Sequence, residues 1–338
     1  MAKIAPQIIV RIIGLNQGGG ARIHCRQLND YIDGTGRQTV TFIPPSPFND
    51  PLTRTKNANI IYIERLKVYE IFLYIIRHRS SIAYVHIHLK NAVILFSWIA
   101  ILCRLPLIVT VHQEIASKSF RSSFSNRVYA FFLRRATSVI SISNYIKVQL
   151  NAIGVNSTMI WNASEDVLPH ARKREPNDDR TLVIGVVGEL TARKGVEDLC
   201  ELTKLVPPEC TFAVYGVGPL SSILSGVRGV ELRGYESDRS VIYSSIDVLL
   251  MLSHGEPFGR VLTEAMANSL PVIARRSGGA IEVVDREWTF NTLGECAELI
   301  SKLRCRRARS EVGALNREKF TSLFSLEVFY RRLKEFGI

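Results

Sequence analysis

A chain of 338 residues, 46% hydrophobic and 22% charged, has the composition of a soluble globular protein with material for two cores. Its 43 Lys and Arg against 31 Asp and Glu give a net charge of +12, which favours phosphorylated ligands, acidic lipid or nucleic acid without choosing among them. The six cysteines (Cys25, Cys103, Cys200, Cys210, Cys296 and Cys305) form no CxxC and sit in apolar segments, which argues against a disulfide frame or a zinc site and for reduced thiols in a cytoplasmic protein.

In chain order, β-branched apolar runs at 8–13, 40–43, 60–63, 83–87, 107–111 and 139–142 alternate with segments of helical period at 21–32, 65–77, 91–103, 124–135 and 145–152. A polar stretch, PHARKREPNDDR at 169–180, breaks the pattern as a linker does. The alternation then restarts, with strands at 182–187, 212–215, 230–232, 248–252 and 272–274 and helices at 195–205, 239–245 and 260–268. Segment 295–303 is helix-like, and 326–336 has the spacing of an amphipathic helix. This βαβ rhythm predicts an α/β protein of two Rossmann-like, doubly wound domains. Their expected bounds are 1–168, a linker at 169–180, and 181–322, with 323–338 a closing helix whose return to the first domain is left open. Two such sheets would face a central cleft, with ligands at the carboxyl ends of strands.

The start, MAKIAPQIIVRII, reads as a first strand without the layout of a signal peptide. The longest uncharged apolar stretch, 92–103, is too short to cross a bilayer. Asn-x-Ser/Thr triplets at Asn156 and Asn162 read as chance matches.

The most informative run is 253–282, SHGEPFGRVLTEAMANSLPVIARRSGGAIE, which sets Glu256 and Glu264 on either side of a Phe258-Gly259 turn. A helix starting near Gly259 would aim bare N–H groups and its positive end at an anion, with one acid in the loop and the other within two turns. Eight residues of helix advance about 12 Å. Two acids at that separation suit a long ligand with hydroxyls at each end and a diphosphate between, the shape of a nucleotide diphosphate sugar.

These residues resemble the retaining family-4 glycosyltransferases (glycosyl transferases group 1), which have the GT-B fold. The Glu-x7-Glu pair within EPFGRVLTEAMANSLPVIA carries most of the likeness. GVVGELTARKG at 185–195 looks like the family's phosphate loop, YGVGP at 215–219 like the following turn, and VELRGY at 230–235 like the segment that meets the nucleobase. QGGGAR at 17–22, VTVHQE at 109–114, SISN at 141–144 and WNA at 161–163 match more weakly in the first half. Two departures stand out: Glu189 takes the place of an arginine, and the segment after Glu282 is short.

The resemblance implies a role for each candidate. Lys194, with Arg193, would counter the diphosphate charge. Glu256 would bind the sugar ring near the reacting carbon, and Glu264 would accept from the ribose hydroxyls. His112 would contact the donor sugar, so Glu256, His112 and Lys194 form the expected catalytic set. Gly19, Arg193, Lys194, Tyr235, Phe258, Gly259 and Glu264 would bind the donor. The bland readings are a surface lysine at a helix start, an exposed helix acid, a structural histidine and an ordinary loop glycine. A buried acid amid AMA needs partners, so the bland reading suits Glu264 poorly. His86 and His88 face the same way on one strand and make a poor metal pair by themselves.

No cofactor and no metal is expected, the nucleotide diphosphate sugar being the donor substrate. The implied reaction retains anomeric configuration by same-face attack, and the implied acceptor is a lipid-linked or growing surface polysaccharide. Helix 124–135 sets Phe124, Val128, Phe131 and Phe132 on one face with Arg127, Arg134 and Arg135 largely elsewhere. A helix packed on its own sheet has that pattern, and so does one at an anionic membrane surface; the peripheral reading, at the inner face of the plasma membrane, stays open. The basic run 302–309 reads as a solvated face. Nucleic acid is not expected, since charge is its sole support. A non-catalytic nucleotide-sugar-binding subunit and another GT-B enzyme, such as an epimerase or a phosphorylase, remain alternatives.

Overall fold

The computed structural model describes residues 8–14, 19–45, 59–62, 68–115, 124–166 and 181–338. The expected linker, 169–180, and Gly18 lie outside them. The chain divides into two compact units, one of residues Met1–Trp161 with Arg332–Ile338, the other Asn162–Arg331.

The first unit is a parallel sheet of β1 (Ile8–Ile13), β2 (Gln38–Ile43), β3 (Asn59–Tyr62), β4 (Ile82–His88), β5 (Leu107–Val111), β6 (Ser138–Ser141) and β7 (Thr158–Met159), ordered β3-β2-β1-β4-β5-β6-β7. Its helices are α1 (Gly19–Asp33), α2 (Val68–His78), α3 (Lys90–Leu102), α4 (Phe124–Arg135) and α5 (Asn144–Ala152). β1 runs between β2 and β4 with Val10 opposite Val40 and Val85, and all three valines are buried. Helix α5 starts where Ser143 accepts a hydrogen bond from the Ile146 amide at 3.2 Å, satisfying a donor that the helix leaves unpaired. The last residues join this unit: Tyr31 Oη donates to the Ile338 carbonyl at 3.3 Å, and Arg332 lies over the Trp161 ring at 4.7 Å.

The second unit repeats the plan. Strands β8 (Leu182–Val187), β9 (Cys210–Tyr215), β10 (Val230–Gly234), β11 (Val248–Met251), β12 (Val272–Arg275) and β13 (Thr289–Phe290) lie in the order β10-β9-β8-β11-β12-β13, all parallel. Helices α6 (Val196–Leu202), α7 (Arg239–Ser244), α8 (Arg260–Ala267), α9 (Ala280–Val283), α10 (Leu293–Lys302), α11 (Arg306–Leu323) and α12 (Leu326–Phe336) complete it, α12 running on into the residues of the first unit. One core joins Ile184, Phe212, Val214, Leu250, Ile273 and Phe290 from the sheet to Leu199, Leu202 and Ile300 from the helices. In each sheet the strand order reverses beside the first strand, between β1 and β4 and between β8 and β11. Chain ends diverge there on opposite sides of the sheet and leave a crevice for ligands.

One expectation needs correction, that for α4. The run 302–309 is a solvated face, exposed at Lys302, Arg304, Cys305, Arg306 and Arg307, and its last four residues begin α11, an 18-residue helix. Its buried stripe is Val312, Gly313, Asn316 and Phe320, so two of its four contacts carry no apolar signal. In α4 the buried side chains are Asn126, Tyr129, Ala130 and Leu133, while Phe124 and Phe131 are exposed at 81% and 47%. At 100° per residue, Arg127, Arg134 and Arg135 fall on the same outward face as those rings. Arg135 sits over Phe131 at 4.9 Å.

Candidate functional site

At the switch point of the second sheet, β8 ends at Val187 and leads through a 3₁₀ turn, Ala192–Lys194, into α6. β11 ends at Met251 and leads through 252–259 into α8. One backbone and two side-chain ties hold this region together: the His254 amide donates to the Arg193 carbonyl at 2.8 Å, and the Asp198 carboxylate takes both His254 Nε2, at 2.9 Å, and the guanidinium of Arg275. Lys194 Nζ thereby meets Glu256 Oε2 at 2.6 Å, with Arg193 Nη1 at 3.6 Å from the same oxygen. Burial alone would raise the Glu256 carboxyl; the Lys194 charge and hydrogen bond, then Arg193 and Ser253, outweigh it and hold the group below its ordinary value. A cation at the start of α6 is mildly unfavourable, and Glu256 offsets it.

The Glu256 loop is fixed from below. Gly278 has φ +64°, and a Cβ there would stand 2.3 Å from the Glu256 carbonyl oxygen; the Gly279 amide donates to that oxygen at 2.6 Å. No larger residue fits without moving Glu256.

Gly259, with φ +91°, is the N-cap of α8 and brings no capping side chain. The positive end of α8 therefore lies beside the Lys194–Glu256 pair in sequence and loop. At its other end, Arg317 of α11 donates to the Ala267 carbonyl at 2.6 Å and grips Asp166 with both guanidinium nitrogens, at 2.6 Å each. Asn316 Nδ2 holds the Leu270 carbonyl at 2.9 Å.

Glu264 is buried on α8 and has partners that sequence reasoning missed. Tyr243 Oη donates to Oε2 at 2.7 Å, Arg239 pairs with the same oxygen, and Arg260 Nε stands 3.9 Å from Oε1. Arg239 and Tyr243 occupy one face of α7, whose N-cap Asp238 accepts from the Ser240 amide at 2.9 Å. The demand that a buried acid have partners, applied to a helix with Arg and Tyr four apart, was the available signal.

The other candidates fall as follows. Tyr235 follows β10, is 53% exposed and lies near Arg239. The Phe258 ring is buried edge-on against Phe324, centroids 5.8 Å apart, so it packs the loop rather than facing a donor. Glu189 is exposed and keeps its charge toward solvent. Gly19 opens α1 and His112 follows β5, both in the first unit. His112 Nε2 is 3.1 Å from His88 Nδ1, and the rings of His24 and His112 meet edge-on at 4.9 Å. Burial pushes His86 and His88 well below the ordinary histidine value, aided by neighbouring positive groups.

A family model described as Glycosyl transferases group 1 matches residues 181–304, and one described as Glycosyltransferase Family 4 matches 18–163. The chain belongs to the group 1 and family 4 glycosyltransferases. The first match falls within the second unit of this family member, and the second falls within the first unit apart from its last two residues. Sulfoquinovosyl transferase SQD2 of Arabidopsis thaliana is 31% identical over 258 residues, 65% of this chain and 49% of that protein. Capsular polysaccharide biosynthesis glycosyltransferase CapM of Staphylococcus aureus is 28% identical over 169 residues, 45% of this chain and 44% of that protein. The family member spans about half the length of the curated relatives it matches. Among solved structures, Anabaena HepE in complex with UDP-glucose superposes with a TM-score of 0.82 at 17% identity, over 97% of this chain and 98% of that one. Sucrose-phosphate synthase from Thermosynechococcus elongatus gives 0.78 at 22%, over 98% of each. At such identities the likeness is one of fold, and the fold is GT-B.

Proposed function

We propose that this protein is a retaining glycosyltransferase that moves a sugar from a nucleotide diphosphate sugar to an acceptor hydroxyl, the acceptor being a lipid-linked or growing surface polysaccharide. The observation that carries the reading is the Lys194–Glu256 pair, 2.6 Å apart, set at a switch point and followed at once by the uncapped start of α8. A diphosphate would compete with Glu256 for Lys194 and draw on the α8 amides. Glu256, released from its partner, would then accept from sugar hydroxyls. Glu264 already has Arg239 and Tyr243 on Oε2, which leaves Oε1 as the oxygen to receive the ribose. The charge that develops on the leaving diphosphate would be met by Lys194, Arg193 and the helix end, without a metal. The superposed Anabaena HepE structures are complexes with UDP, with UDP and glucose, and with UDP-glucose, which supports a nucleotide sugar as donor.

A donor panel read by nucleoside diphosphate release tests this. Lys194→Ala is expected to lower the rate about 100-fold, the scale of a lost electrostatic contact to the transition state, and Glu256→Ala to lower it comparably. Release unaffected by either change defeats the assignment. The anomeric configuration of the product, read by NMR, tests retention.

The peripheral membrane part of the proposal draws on the outward face of α4, where Phe124 and Phe131 stand exposed among arginines. Such a face suits anionic lipid. No helix among the described residues is long and apolar enough to cross a membrane. Flotation with anionic vesicles at low salt is expected to carry the protein up, and Phe124→Ser with Phe131→Ser to abolish it; no flotation of the unaltered protein disposes of the idea.

A further inference from the structure

At the switch point of the first sheet, three imidazoles from three separate elements converge. His24 comes from α1, His88 ends β4 and His112 follows β5. The register sets His88 opposite Thr110, so His86, His88, Thr110 and His112 share one face of the sheet, the face that α1 covers through Asn29 and His24. His86 spends Nε2 on Thr110 Oγ1 at 2.8 Å. His88 instead turns to His112 and His24, and one nitrogen from each of the three rings lies within 4.8 Å of the other two. His88 and His112 are already 3.1 Å apart, while His88 Nε2 is buried with no hydrogen-bond partner among the described residues.

We propose that His24, His88 and His112 form a binding site for one transition-metal ion of the zinc class. Three imidazole ligands with a fourth, outward position fit tetrahedral Zn²⁺, whose bonds of about 2.05 Å put ligand nitrogens roughly 3.4 Å apart. The 3.1 Å pair is near that spacing, and the His24 nitrogen, within 4.8 Å of both, would close in on the ion. An all-nitrogen set excludes Mg²⁺ and Ca²⁺, which require oxygen. Arg11, opposite His86 in the register, opposes any cation nearby, which further selects ions that imidazole binds strongly: Zn²⁺, Cu²⁺, Ni²⁺ or Co²⁺. An ion there would occupy His112 and take it from any part in sugar transfer. The site does not depend on the transferase reading, since it lies wholly in the first unit.

Titration of the full chain with Co²⁺, followed by visible absorption and calorimetry, tests the proposal. The background is Cys305→Ser, which removes an exposed thiol. One equivalent with the intense bands of four-coordinate Co²⁺ is expected. His24→Ala and His112→Ala, each checked for fold by circular dichroism, should bind at least about 100-fold more weakly, since even a partner of a ligand costs up to that much. Absence of binding to the background protein overturns the site, as does affinity unchanged in both variants. Should one variant fail to fold, the other decides.

Discussion

Glu264 is a charge carried to a nearly dry place, and its cost is met by neighbours from another helix. Removing one of them exposes the cost. Tyr243→Phe deletes a single hydroxyl that donates to the carboxylate at 2.7 Å, and it is expected to lower stability by about 2 kcal/mol, read as a lower urea midpoint at unchanged slope. Glu256 gives a pH signature. Its folded value is depressed, so the pair with Lys194 contributes stability above the unfolded carboxyl range, about 4.3, and loses it as pH falls through the folded value. Wild type is therefore expected to be more stable than Glu256→Gln at neutral pH, the difference shrinking on acidification; a difference that grows in acid contradicts the assignment. Among the thiols, burial pushes Cys296 up to about 12, whereas Cys305 is exposed. Maleimide is expected to label Cys305 first and Cys296 last under native conditions. The two glutamates and Lys194 stood out in the chain because each lies in a short contiguous motif. Arg239 and Tyr243 were not, because they meet Glu264 only when α7 and α8 pack.

Helix α8 is held at two ends by different means: its start is left bare by Gly259, and its end is gripped by α11. That grip depends on close approach. A Cβ at Gly313 would stand 2.1 Å from the Ser269 carbonyl oxygen, a backbone atom that has little room to yield. Gly313→Val is expected to cost about 1–3 kcal/mol, the usual range for overpacking, and to slow nucleoside diphosphate release, since α8 must shift. A stable variant with unchanged release would separate α11 from the site. The same helix hides half of its packing from the sequence. Periodicity detects apolar stripes, and here Gly313 and Asn316 make half the buried contacts through backbone proximity and an amide hydrogen bond. In α4 two of the apolar residues that looked like a packing face, Phe124 and Phe131, point outward, because Asn126, Tyr129, Ala130 and Leu133 take the buried side.

Across the molecule, two sheets of the same strand order each offer one switch point, and chemistry-bearing side chains gather at both. The first collects histidines, the second a cation and two acids. Hydrogen exchange with UDP added is expected to slow at amides within 186–196 and 253–264, where the loops of the second switch point lie. Protection confined to the first unit would argue for a different nucleotide site. The sequence by itself determined the two doubly wound units, most strand positions to within two residues and the Glu256–Glu264 pair, because alternating burial and short loop motifs are local properties of a chain. Tertiary structure alone decided that Lys194 pairs with Glu256, that Phe258 packs inward, that Arg239 and Tyr243 support Glu264, and that His24 joins His88 and His112. Those contacts link residues 21 to 88 positions apart, and only the strand order and the packing of helices onto the sheet determine which of them meet.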